Sequence, residues 1–237
     1  VLIRILQSPP DLLPGSHLRM GIDVRGELLD RRRFLQAAGL SFSTLLSGRQ
    51  AFAFQNADAL FASCFQKKDG SHGFALLSER GDILTEHRLT GRGHGFTTSK
   101  ANEWNVAFAR APGNFAYAFR TDNKVEPVAF SAPEGRHFFG HGTFSPDGKI
   151  LYATESDFET GRGVIGLYEP ANGFTRIGEF LSGGVGPHEM ILSPDGEGLW
   201  IANGGILTHP STGKAKLNLD TMRSNIVLVD LKDGTIR

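Results

Sequence analysis

Three histidines, His94, His141 and His188, recur at an interval of 47 residues, each directly after a Gly or Pro and ahead of an apolar stretch. The second and third repeats also share a Ser-Pro-Asp-Gly tetrad, at 145–148 and 193–196. That tetrad is a tight turn: Pro fixes φ at its second position, Asp bonds the backbone ahead, and Gly accepts the left-handed conformation. A period in the forties with short apolar strands between turn signals marks a β-propeller, in which each repeat folds as a four-stranded antiparallel blade. Composition agrees, since 18 Phe against 3 Met favours strands over helices, and 30 Gly with 11 Pro supply the turns.

The pattern predicts strands at 141–145, 150–154, 163–168 and 175–180 in the second repeat, and at 188–193, 198–202 and 225–230 in the third. The repeat of His94 is more degenerate, with strands expected at 96–98, 106–109, 115–119 and 125–130. Ahead of it, 60–65, 73–77 and 83–89 form only three strands, a blade short of its innermost one. The 184 residues from Phe54 onward hold about four repeats, so the chain is expected to be an incomplete propeller, part of a ring of about seven blades with an unpaired sheet edge.

The first fifty residues read as an address. Arg31 and Arg32, followed by Arg33, Phe34, Leu35 and Gln36, precede an apolar run at 37–46 that is too short for a membrane span of roughly 20 residues. Ala51-Phe52-Ala53 then offers a small-x-small cleavage site. This segment resembles a twin-arginine export signal, which implies recognition by the Tat machinery and delivery of a folded protein to the periplasm. Residues 20–53 are accordingly read as the signal, 1–19 as a non-native segment upstream of a start at Met20, and 54–237 as the partial propeller, with no transmembrane segment in the mature chain.

Charge and cysteine usage narrow the partners. With 25 Lys+Arg balanced by 25 Asp+Glu, the chain has no electrostatic case for nucleic acid. A lone cysteine, Cys64, supplies neither an internal disulfide nor a thiolate cluster, so any metal site must be built from His, Asp, Glu or Asn.

Innermost strands line the channel of a propeller, so His94, His141 and His188 are expected to gather at one mouth of it. The same face should receive Arg110, then Glu155, Asp157, Glu159 and Arg162, and from the third repeat, with its insertion at 204–224, Asn203, His209, Lys214 and Lys216. Three imidazoles near carboxylates suit Fe, Cu or Zn; they also suit general-base chemistry with Arg or Lys stabilising an anion. A third role is structural, resembling the blade-locking histidine of WD repeats. His72 and His87 fall outside the register and read as surface or strand-edge residues, whereas His137 is close enough in sequence to His141 to approach the same mouth. The acidic stretch 155–159 reads equally as a solvated turn and as a cation site.

The run Pro187-His188, with Ser193-Pro194-Asp195-Gly196 and Leu199-Trp200-Ile201-Ala202-Asn203, is similar to the YVTN-type repeat of lactonase-like and quinoprotein-like propellers. Arg92-Gly93-His94-Gly95, Gly135 to Gly142, Thr154 to Phe158, Gly161 to Gly166, Gly186 to Glu189 and Asn203 to Ile206 resemble a bacterial family of Tat-exported propellers of unknown function. Genes of that family often neighbour those of imelysin-type iron-uptake proteins. The resemblance implies a periplasmic setting, a link to iron uptake and chains that extend past Arg237, but it carries no catalytic residues. The function expected is binding of a ligand, metal or iron-uptake partner at the histidines. A lactonase or oxidoreductase enzyme and an interaction scaffold are the alternatives.

Overall fold

The computed structural model describes residues 2–4, 57, 60–121 and 125–237. The twin-arginine motif at Arg31, Arg32, Phe34 and Leu35 and the cleavage residues Ala51 and Ala53 lie outside the described residues.

Four antiparallel sheets follow one another along the chain. The first contains β1 (Leu2–Arg4), β2 (Leu60–Gln66), β3 (His72–Ser78) and β4 (Ile83–Leu89). The second contains β5 (Gly93–Thr98), β6 (Trp104–Ala109), β7 (Ala116–Arg120) and β8 (Val128–Phe130). The third contains β9 (Arg136–Phe144), β10 (Leu151–Asp157), β11 (Arg162–Glu169) and β12 (Thr175–Leu181). The last contains β13 (Pro187–Leu192), β14 (Gly198–Asn203) and β15 (Asn225–Asp230), and Ile236 bridges back to Val229 beside it. Sequential hairpin pairing within each sheet, with β9 packed between β5 and β13, is the blade arrangement of a β-propeller.

Two differences from the sequence reading stand out. The first blade has a fourth strand, because the backbone of Leu2–Arg4 pairs with Phe61–Ser63 along the free edge of β2. The inner strand of the third blade starts at Arg136, five residues earlier than the repeat predicts, which puts His141 well inside the strand and not at its first residue. Among the described residues no helix is long and apolar enough to cross a membrane.

Strand alternation builds a separate core between each pair of neighbouring blades. On β6, Val106 and Phe108 point to one side, where they meet Phe138, Leu151 and Ala153 of the third blade. Ala107 points to the other side and meets Phe74, Leu76 and Phe96. The third core joins Tyr152 and Ile165 to Met190, Leu199 and Ile201 of the last blade. On β14 the opposite face carries Trp200, which with Ile191 and Ile226 stays exposed. The Ser-Pro-Asp-Gly turns close on themselves as expected: Ser145 Oγ donates to Asp147 at 2.7 Å and accepts from the Ile150 N–H at 3.0 Å. The bond from Ser145, with those from Lys149, holds the exposed Asp147 carboxyl down at about 2.

Candidate metal centre

His94 on β5, His141 on β9 and His188 on β13 converge on the inner edge of three consecutive blades. Their ring centroids are 4.9 Å apart for His94 and His141, 5.0 Å for His141 and His188, and 6.0 Å for His94 and His188. One nitrogen from each ring lies within 4.8 Å of the other two.

The local cause is a β-bulge at every one of these positions. Pairing slips between Gly93 and Phe96 on β5, between Phe138 and Gly142 on β9, and between Pro187 and Glu189 on β13. A bulge leaves a residue out of the ladder and re-aims its side chain, which frees each histidine from the strict alternation of its strand. Thr154 on β10 pins the largest of them: its hydroxyl donates to the His141 carbonyl at 2.9 Å and accepts from the His141 N–H at 3.3 Å. Thr154 is fully buried, so Thr154→Val strands both backbone groups and is expected to cost about 1–3 kcal/mol in denaturant unfolding.

Glycines let the strands approach. Gly140 adopts φ 102°, and a Cβ there would stand 2.6 Å from His94 Cδ2; a Cβ on Gly95 would collide with the Gly140 carbonyl. Only a residue without a side chain at both places allows β5 and β9 to bring their imidazoles together.

The electrostatics favour the neutral form of His94 and His188. Burial, reinforced by the His141 and His188 rings and by the Arg110 guanidinium, pushes His94 down to about 4. His188 is also lowered, by burial and by His141, against the pull of Glu189. Neutral imidazoles are the form that ligates a metal. His141 Nδ1 lies 3.0 Å from Glu189 Oε2, while His141 Nε2 is buried and has no hydrogen-bond partner among the described residues.

Glu189 was missed in the sequence, where it stands unremarked beside His188. The available signal was its place after Pro187-His188 in a strand whose inner edge must bulge to present the histidine.

The other predicted residues sit elsewhere. Glu155 and Asp157 belong to β10 and not to a loop, and they face the second blade in an ion network. Glu155 is fully buried, accepting from Tyr168 Oη at 2.5 Å and pairing with Arg176 at 3.0 Å. Arg176 continues to Glu179 at 2.5 Å, Glu179 to Arg136 at 2.9 Å, and Arg136 to Asp157 at 2.8 Å. Arg162 joins Asp157 from outside at 3.3 Å. Burial raises Glu155 above its ordinary value. Burial also opposes the charge on Asp157, yet bonds from Thr160 and the guanidiniums of Arg136 and Arg162 hold it at about 2. Asn203 is buried against the link into β13, accepting from Ser182 Oγ at 2.7 Å and donating to the Ser182 carbonyl at 2.8 Å. His209 rests on the Phe158 ring at 4.7 Å, and its Nδ1 meets Ser211. Of the predicted companions, Arg110 is the one whose charge reaches the trio.

His137 does not approach the trio. It is fully buried, with Nδ1 3.0 Å from the Phe138 carbonyl and Nε2 3.2 Å from Thr208 Oγ1, so it fastens the 204–224 insertion to the third blade. His87 is half-buried, stacked on Phe74 at 4.9 Å. Burial lowers His137 below its ordinary 6.5 despite those two bonds. The unfolded chain therefore binds its proton first as pH falls, and the native state loses stability below pH 6.5. In His137→Gln the fall in stability on acidification from pH 6.5 is expected to be shallower than in the parent, as measured by urea unfolding across that range. Cys64 stays inert, since burial pushes its thiol up to about 11.

A propeller whose inner strands carry three convergent imidazoles is the class that fold and geometry define. Residues 87–237 match the family described as protein of unknown function (DUF1513), and the chain belongs to that family. Hydrazine synthase of Kuenenia stuttgartiensis is similar at 12% identity with a TM-score of 0.52, over 73% of this chain and 46% of that one. A putative 6-phosphogluconolactonase from Bacteroides uniformis ATCC 8492 aligns at 17% identity and a TM-score of 0.45, over 73% and 52%. At 12% identity the first of these likenesses shows the fold, and the chain spans about half the length of each. No curated protein matches the chain.

Proposed function

We propose that the protein binds one transition-metal dication between its inner strands, with His94, His141 and His188 as ligands. The observation that carries this reading is the convergence of one nitrogen from each of the three rings to within 4.8 Å of the others, together with a buried His141 Nε2 that has no hydrogen-bond partner among the described residues. A buried polar atom without a partner is costly, and a shared cation removes that cost. Imidazole suits copper, zinc and iron, with copper the tightest of the three on general affinity order. Export through the Tat route and association with iron-uptake proteins complete the proposal, the ion being loaded before or after export.

The test is metal stoichiometry. Protein stripped with chelator and titrated with Zn²⁺ or Cu²⁺ is expected to take up one ion per chain. A stripped protein that takes up neither ion returns the histidines to a blade-locking role.

A further inference from the structure

We infer that Glu189 sets the tautomer of His141, holding the ring proton on Nδ1 so that Nε2 presents its lone pair to the space shared with His94 and His188. The importance of that lone pair rests on the metal reading above; the tautomer itself does not. An ionised carboxylate only accepts hydrogen bonds, so the 3.0 Å contact from Glu189 Oε2 to His141 Nδ1 requires the proton to sit on that nitrogen. A neutral imidazole has one donor and one acceptor nitrogen, which leaves Nε2 as the acceptor.

The carboxylate is itself held. Its other oxygen, Oε1, accepts from the Met190 N–H at 2.9 Å, so both oxygens are committed and the side chain has little freedom to turn away. The bulge on β13 makes this geometry available by placing His188 and Glu189, adjacent in sequence, toward the same neighbour. Facing His141 are His94 from β5 and His188 and Glu189 from β13, and the charge of Arg110 acts on His94. Of these, Glu189 is the residue bonded to the ring's Nδ1. Glu189 is therefore a positioning residue, the outer carboxylate that orients a ligating histidine and raises its basicity.

Long-range ¹H–¹⁵N spectra of the metal-free protein, with His141 assigned by its loss in His141→Ala, read the tautomer directly. The wild type is expected to show His141 protonated on Nδ1. Glu189→Ala should return it to the Nε2-protonated form that a free histidine side chain favours, and Glu189→Gln, whose amide oxygen still accepts, should preserve the native form. Zn²⁺ affinity is expected to drop about 10- to 100-fold in Glu189→Ala and by less in Glu189→Gln. Glu189 is half exposed, so neither substitution threatens folding. A wild-type His141 protonated on Nε2, or an unchanged tautomer in Glu189→Ala, overturns the inference. If the tautomer switches but the wild type takes up no Zn²⁺, the metal reading fails and the inference about Glu189 stands.

Discussion

His141→Ala is expected to lose Zn²⁺ affinity by more than about 100-fold, because outer residues that merely orient a ligand already contribute 10- to 100-fold. His141 is the hub of the trio: its ring is 4.9 Å and 5.0 Å from the other two, which are 6.0 Å from each other. Removing it leaves two of the three imidazoles, one ligand short of the site, and it also discards the nitrogen that Glu189 prepares. Isothermal titration with Zn²⁺, alongside far-UV circular dichroism to verify the fold, measures the effect. His141→Ala should leave thermal stability of the metal-free protein nearly unchanged, since the ring makes one side-chain hydrogen bond and that to a half-exposed carboxylate. A large stability loss with unaltered affinity would instead identify the ring as a blade lock.

The second large effect belongs to Arg176. Arg176→Ala is expected to destabilise the fold by about 3 kcal/mol, the lower end for breaking a buried ion pair because the guanidinium is 21% exposed. Among the described residues, the fully buried Glu155 then keeps only the Tyr168 hydroxyl as a hydrogen-bond donor. Burial already lifts Glu155 above its ordinary 4.5, and losing Arg176 lifts it further. An acid whose native value is raised stabilises the fold at low pH and loses that contribution as pH climbs past the unfolded value. The deficit of Arg176→Ala relative to the parent should therefore shrink as pH falls from 7 toward 5, as measured by guanidinium unfolding at each pH. A deficit that is constant over that range would mean that the carboxyl takes no part.

How much of this was legible in the sequence follows from distance along the chain. The 47-residue interval and the paired Ser-Pro-Asp-Gly turns are local signals, and they lead directly to blades and to histidines on inner strands. The position of His141 within β9 was not legible, because its bulge holds two extra residues between Phe138 and Gly142 and no residue type announces it. Glu155 and Asp157 read as an acidic loop because the partners that permit their burial, Arg136 and Arg176, lie some twenty residues away on either side. His137 reads as a companion of His141 on spacing alone. Its partner Thr208 comes from the next blade's insertion, 71 residues on.

That each histidine comes from a different blade links occupancy to the mechanics of the ring. Repeat proteins are stable as a sum of unit and nearest-neighbour interface terms, so blades can separate one interface at a time. A ligand gripped by the second, third and last blades is lost whenever either interface between them opens, and by mass action it resists both openings. At a free concentration of a thousand times its dissociation constant, such a ligand adds about 4.1 kcal/mol to the stability of the gripped state. The same arrangement would run in reverse: if the proposed ion is bound there, prying one blade outward would release it without altering a ligand residue, making blade separation a means of unloading.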